Sequence, residues 1–180
     1  MSVKTTYQRV RIETPAGPLV AVTSCGRLQV LQFEERSGQL SRAMARLGPV
    51  VPVEARDPGG VATAFRRYLS GDLDALDAIE VDGPGTSFQR RVWAELRKIP
   101  VGTAISYGEL ARRMGDPNAS RAVAGANGAN PIAVVVPCHR VVAASGDLWG
   151  YGGGLHRKRW LLAHEGVPLT PDGRRVVWAG

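Results

Sequence analysis

Cysteine and histidine are scarce: the 180-residue chain holds two of the first and three of the second. Two thiols are too few for a disulfide framework at this length, so a reducing compartment, the cytoplasm, is expected. Cys25 has no second cysteine or histidine near it, so a tetrahedral metal set is not expected there and a core or surface thiol is. No apolar run approaches the ~20 residues of a membrane-spanning helix. The opening Met1-Ser2-Val3-Lys4-Thr5-Thr6 lacks the apolar core of a secretory leader. Phosphate-cradling loops are missing as well, because Gly152-Gly153-Gly154 is not followed by a Lys-Ser/Thr pair. Internal repeats and low-complexity tracts are absent.

Acidic residues are the minority, 16 against 23 Lys and Arg, for a net charge of +7. The excess is uneven. Residues 1–80 carry 10 basic and 9 acidic side chains, and residues 81–180 carry 13 and 7. Basicity can serve solubility alone, but its concentration in one half favours a polyanionic partner such as nucleic acid.

The first half shows alternation over Tyr7–Glu13, a turn at Pro15-Ala16-Gly17-Pro18, and strand-like runs at Leu19–Cys25 and Leu28–Phe33 joined at Gly26. An antiparallel meander is expected. Leu40–Leu47 and Val61–Leu69 read as short helices, each ended by glycine. Residues 71–86, rich in Asp, Gly and Pro, read as a linker or crossing loop with Gly83-Pro84-Gly85 at the boundary, dividing the chain into domains at 1–80 and 81–180.

In the second half Phe88, Val92, Trp93, Leu96 and Ile99 recur at helical spacing up to Pro100-Val101-Gly102. Ser106-Tyr107-Gly108-Glu109 reads as a capping box that opens a helix to Met114. Gly115-Asp116-Pro117-Asn118 is a turn with Asn118 as the next N-cap, and a helix rich in small residues runs from Ala119 to about Ala129. Two short helices joined by four residues resemble a helix-turn-helix, and tight packing of the small residues is the plainer alternative. The glycine-rich Gly146–Gly154 holds Trp149 and Tyr151 and suits close approach to a flat ligand. A last helix runs from Leu155 to His164. Glu165 at its C-terminus opposes the helix dipole and calls for a partner.

Between these elements lies Val134-Val135-Val136-Pro137-Cys138-His139-Arg140-Val141-Val142. It reads as a buried strand disturbed at the cysteine by a proline that lacks an N–H. Cys138 is either a small core residue or a nucleophile whose thiol pKa the adjacent His and Arg would lower. A zinc site from Cys138, His139, His156 and His164 fits no known spacing, and a Cys-His hydrolase draws its histidine from elsewhere in the chain.

From about Thr86 to Gly166 these segments resemble the 6-O-alkylguanine-DNA alkyltransferase family, the methylated-DNA–protein-cysteine methyltransferases. The resemblance rests on Arg121-Ala122-Val123, Ala126-Asn127, Asn130-Pro131, Pro137-Cys138-His139-Arg140-Val141-Val142, Gly150-Tyr151-Gly152-Gly153-Gly154 and Lys158 through Leu161-Leu162-Ala163-His164-Glu165-Gly166. It implies an α/β (α+β) fold, a ribonuclease-H-like sheet-and-helix domain followed by a winged-helix-like domain. It also implies DNA repair by irreversible transfer of an alkyl group from the O6 atom of guanine in double-stranded DNA to Cys138, with base flipping.

The same resemblance assigns His139 as base through a bound water, Glu165 as its orienting group and Asn130 as a brace. Tyr107 would donate a proton toward the leaving guanine and Arg121 would fill the gap left in the duplex. The guanine pocket would be lined by Tyr151, the Gly152 N–H, the Val141 carbonyl and Lys158. No cofactor, metal, membrane or obligate protein partner is expected, and the protein should be a monomer. A silent damage-binding relative would lack the acceptor cysteine, which Cys138 argues against.

Overall fold

A computed structural model describes residues 6–178. Residues 1–5, where no secretory leader is expected, lie outside that range. The chain divides into two compact units, 1–84 and 85–180. Each is a mixture of helix and strand, so the protein is an α+β chain of two domains.

The first unit is built on strands β1 (Tyr7–Ile12), β2 (Leu19–Ser24), β3 (Arg27–Phe33) and β4 (Val53–Glu54) in the order β3-β2-β1-β4. The first three form the antiparallel meander, and β4 pairs parallel to β1. This is the ribonuclease-H-like arrangement. Every residue of β2 is buried, so the sheet is covered on both faces. Val20, Val22 and Val30 pack with Ala43 and Leu40 of helix α1 (Ser37–Ala45). Helix α2 (Val61–Leu69) buries Val61, Ala64, Phe65 and Tyr68. Apolar residues at helical spacing over 61–69 account for that stripe, with Leu69 half-buried at its end.

The stretch at 71–86 is not a free linker. Ala75, Leu76 and Ile79 are buried, Leu28 bridges Val81, and the Leu28 carbonyl accepts from the Asp82 N–H at 2.9 Å. Its apolar residues insert into the first unit, which therefore ends after residue 84 rather than 80. Cys25 is an exposed thiol at the β2–β3 turn.

The second unit contains helices α3 (Ser87–Leu96), α4 (Tyr107–Arg113), α5 (Ser120–Gly128) and α6 (Leu155–His164). A complete capping box starts α3. Thr86 accepts from the Gln89 N–H and the Gln89 side chain accepts from the Thr86 N–H. At α4 only half the expected box forms: Ser106 accepts from the Glu109 N–H, while the Glu109 carboxylate turns to Arg112 and Arg113. Two guanidinium partners outcompete one backbone N–H. Asn118 is not the cap of α5; Ala119 holds that position, and Asp116 instead accepts the Asn118 N–H. The Trp93 indole donates to the Ala126 carbonyl at 2.8 Å, tying α3 to α5.

Strands β5 (Ile105–Ser106) and β6 (Val141–Val142) pair in parallel, Ile105 beside Val141 and Ser106 beside Val142. That short ladder sets the start of α4 next to the residues that follow Cys138. Val142, Leu148, Leu162, Val167 and Val176 form a core cluster behind it. Among the described residues no helix is long and apolar enough to cross a membrane, and no group of three or more His, Cys, Asp or Glu is placed to hold a metal ion.

Candidate active site

The expected strand at Val134–Val142 is mostly something else. Val134–Val136 form a buried turn in which Val134 has φ +70°, and Cys138–Arg140 form one turn of 3-10 helix. Only Val141 and Val142 are extended. β-branched residues signalled burial here, not pairing. The turn is held by Asn130, which is buried. Its Nδ2 donates to the carbonyls of Ile132 (3.2 Å) and Val136 (2.8 Å), and its Oδ1 accepts the Ile132 N–H (2.9 Å). These bonds satisfy backbone groups that a sheet would otherwise satisfy, and they set Cys138 at the end of a rigid loop.

Burial pushes the Cys138 thiol up, against the expectation that its neighbours would lower it; bonds from Asn130 and Tyr151 and the charge of Lys158 offset only part. His139 and Arg140 do not act on the sulfur because both turn to Glu165. His139 Nε2 lies 3.0 Å from Glu165 Oε1, and Arg140 grips the same carboxylate with Nε (2.8 Å) and Nη2 (2.9 Å). A third Arg140 bond, 2.6 Å from Nη1, reaches the Ile99 carbonyl.

All three side chains are buried. Burial alone would push the Glu165 carboxyl up, but His139 and Arg140 outweigh it and hold it well below the usual range. An ionised carboxylate only accepts, so His139 Nε2 carries the proton and Nδ1 the lone pair. Nδ1 is buried without a hydrogen-bond partner. Burial also pushes the imidazole pKa down, more than Glu165 raises it, so the ring is neutral at pH 7. The group is a thiol with an unionised base beside it, and the helix-end carboxylate has the partners its position called for.

Lys158 is fully buried. Its Nζ donates to the Val141 carbonyl at 2.6 Å and lies 5.9 Å from the Tyr151 ring centroid. Burial pushes its pKa down to about 8. Gly153 lets Tyr151 fold back over the loop, since a Cβ there would fall 2.4 Å from Tyr151 Cε1. Gly152 occupies the turn after Tyr151 and is half-buried. Arg121 stands exposed on α5, away from the thiol's hydrogen-bonded surroundings.

Tyr107, the first residue of α4, has its hydroxyl 3.5 Å from Asn127 Nδ2. Burial raises its pKa, and negative charge on Cys138 raises it further. Asn127 Nδ2 also lies 3.4 Å from the Cys138 carbonyl, which can only accept. The amide orientation is thereby settled: Tyr107 accepts from Asn127, and its own O–H is free to donate. Asn127 was quoted above without a role, and Arg140 only as a neighbour expected to lower the thiol pKa. A small polar residue in a helix otherwise packed by alanine and glycine was the available signal for Asn127. Nothing local showed that Arg140 would grip Glu165 instead of acting on the thiol.

Residues 87–167 match the family model for the 6-O-methylguanine DNA methyltransferase, DNA binding domain. A methylated-DNA–protein-cysteine methyltransferase of Mycolicibacterium paratuberculosis is 57% identical over 159 residues, covering 87% of this chain and 92% of the relative. The chain belongs to the methylated-DNA–protein-cysteine methyltransferase family. The crystal structure of the Mycobacterium tuberculosis O6-methylguanine methyltransferase superposes with a TM-score of 0.76 at 41% identity, covering 89% of this chain and 93% of that one. The Mycobacterium tuberculosis protein in complex with DNA gives 0.74 at 39% identity, covering 89% and 92%. Methyltransferase relatives thus span both units of this chain, including the first, where sequence motifs are sparse.

Proposed function

We propose that this protein repairs DNA by direct reversal, moving an alkyl group from O6 of guanine to Cys138 in a single irreversible turnover. Family membership supports the reaction, and the buried Cys138–His139–Glu165–Arg140 cluster supports the assignment of roles. His139 Nδ1 takes the thiol proton through one bridging water. The thiolate sulfur attacks the alkyl carbon, an S–C bond forms and the C–O6 bond breaks. Tyr107 donates a hydrogen to the departing guanine, so the proton lost by the thiol ends, in net, on the base. The product thioether has no leaving group that water can displace, and one chain serves one lesion.

A lowered pKa at Cys138 is not needed in this scheme. A buried thiol that ionises only as a base removes its proton is protected from adventitious electrophiles. Lys158 stabilises the transient thiolate by its charge, and with Tyr151, the Gly152 N–H and the Val141 carbonyl it lines the guanine pocket. Stacked guanine shields its O6 substituent from a protein sulfur, so the nucleotide is flipped out, at a cost of a few kcal/mol. Arg121, exposed on α5 of the helix-turn-helix, fills the vacated stack. The reaction draws on side chains alone, without cofactor or metal, and a monomer in the cytoplasm suffices for it.

The observation that carries the reading is the buried His139–Glu165 bond directly after a buried thiol in the chain, in a family of cysteine alkyl acceptors. Intact-protein mass after incubation with a duplex holding one 6-O-methylguanine tests it. One added methylene, mapped to Cys138 and missing in Cys138→Ser, is expected. Tight lesion binding with no mass gain would overturn transfer in favour of damage sensing.

A further inference from the structure

A groove of about 520 Å³ opens on the second unit, lined in part by the glycine-rich segment and by none of Cys138, His139, Arg140 and Glu165. Its wall is apolar at Leu148 and Leu155, and Trp149 stands in it 65% exposed. Arg159 and Arg174 complete the lining, and neither forms an ion pair among the described residues. The one carboxylate in the wall, Asp147, is already taken by Arg175 Nε (2.7 Å) and Ser145 Oγ (2.5 Å). Asp172, near Arg174, is held by the Thr170 hydroxyl and the Arg174 N–H and offsets part of the positive charge.

The two rims are fixed to each other. Asp147 and Arg175 form an antiparallel bridge, and the Leu148 N–H donates to the Arg174 carbonyl at 3.0 Å. Gly173 admits the Arg159 stem, since a Cβ there would lie 2.6 Å from Arg159 Cδ. The groove is therefore preformed, which reduces the ordering cost of binding.

An exposed indole flanked by two guanidinium groups in a concave apolar wall matches a nucleotide: a π-face for the base and cations for the phosphates on either side. A duplex keeps its base faces stacked inside unless a base is flipped out, so an unpaired strand offers one to Trp149 without that cost. The volume suits a single small ligand, about 300–1,000 Å³ being usual, rather than an oligomer. We propose that this groove is a second nucleic-acid site that takes one nucleotide of single-stranded DNA, its base stacked on Trp149 and its phosphates on Arg159 and Arg174. The proposal rests on the reading of the protein as a DNA repair protein. It adds a site that engages unpaired strand outside the lesion pocket, as at a gap, a fork or a frayed end.

The test is binding of an unmodified thymidine octamer, and of an abasic octamer of equal charge, followed by fluorescence anisotropy between 50 and 200 mM salt (roughly the span over which phosphate contacts report). Trp149→Ala is expected to weaken the thymidine octamer about 5- to 100-fold and leave the abasic one nearly unchanged. Arg159→Gln with Arg174→Gln is expected to lower the slope of log K against log salt by about 1.4, at roughly 0.7 per phosphate. Transfer from free 6-O-methylguanine by the double arginine variant should match wild type. If that reaction is missing in wild type too, the repair reading fails while the groove stands or falls on the octamers. Equal octamer affinities and slopes in wild type and variants would overturn the groove. So would loss of concentration-dependent self-association in the variants with octamer binding intact, which would make it a contact between copies.

Discussion

Replacing Arg140 by leucine should cost the second unit about 3–5 kcal/mol. The side chain is buried and makes three charge-assisted bonds, two to Glu165 and one to the Ile99 carbonyl. Without it a buried carboxylate loses its guanidinium partner beside a neutral imidazole, and breaking a buried pair from one side costs on that order. A buried carbonyl left unpaired adds to the loss, though the two contributions overlap. Exposed pairs such as Arg67–Asp72 contribute about 0–1 kcal/mol, so the two classes are distinguishable by experiment. All four tryptophans, 93, 149, 160 and 178, lie in residues 85–180, so urea unfolding followed by tryptophan fluorescence reports that unit alone.

The pH dependence has a definite sign. Glu165 has a folded pKa held below its unfolded value near about 4.3, so its contribution is complete above that value and is lost as pH falls through the folded one. In Arg140→Leu the burial penalty remains and the guanidinium does not, so the folded pKa rises. The gap between wild type and variant should be full above the variant's raised folded pKa and narrow as pH falls from there toward the depressed wild-type one, because a protonated Glu165 is no longer an unpaired charge. Arg140→Lys should recover only part of the loss, since an ammonium cannot grip both oxygens. A loss under about 1 kcal/mol at pH 7 would refute the reasoning, since that is the range of an exposed pair.

Asn127→Leu should slow transfer several-fold, the equivalent of one hydrogen bond of about 1 kcal/mol, and have no further effect in a Tyr107→Phe background. Equal losses in both backgrounds would show that Asn127 does not act through Tyr107. Gly153→Ala should cut transfer at least tenfold, as measured by single-turnover kinetics, because the new methyl displaces the Tyr151 ring, while urea unfolding changes less than in Arg140→Leu. Lys158 has a folded pKa near 8, below its unfolded value of about 10.4. The unfolded chain binds the extra proton between those values, so wild type should gain stability over Lys158→Met as pH rises from 8 to 10, by up to about 2–3 kcal/mol in urea unfolding. A constant difference across that range would contradict the buried, charged state of Lys158.

The sheet and most helices were legible because their signals are local. Alternation marked the meander, 3.6-residue spacing marked α2 and α3, and Ser106 marked the start of α4. Signals that depend on competition between partners misled. Glu109 met two arginines and left its box half made, and Asn118 yielded the capping position to Ala119. The polar stretch at 71–86 looked like a linker because three buried side chains, Ala75, Leu76 and Ile79, are diluted among turn residues.

The linear order of residues by itself determined the chemistry on offer: Pro-Cys-His-Arg, an acid at the end of the last helix, a basic second half and the family these motifs belong to. What the cysteine and its neighbours do to one another was decided only by the fold. The 3-10 turn directs His139 and Arg140 at Glu165, 26 and 25 residues away along the chain; burial then raises the thiol and neutralises the histidine, while His139 and Arg140 keep the carboxylate ionised against burial. Proton affinities depend on solvent access and on charges brought close from distant positions. Neither is a property of adjacency in sequence.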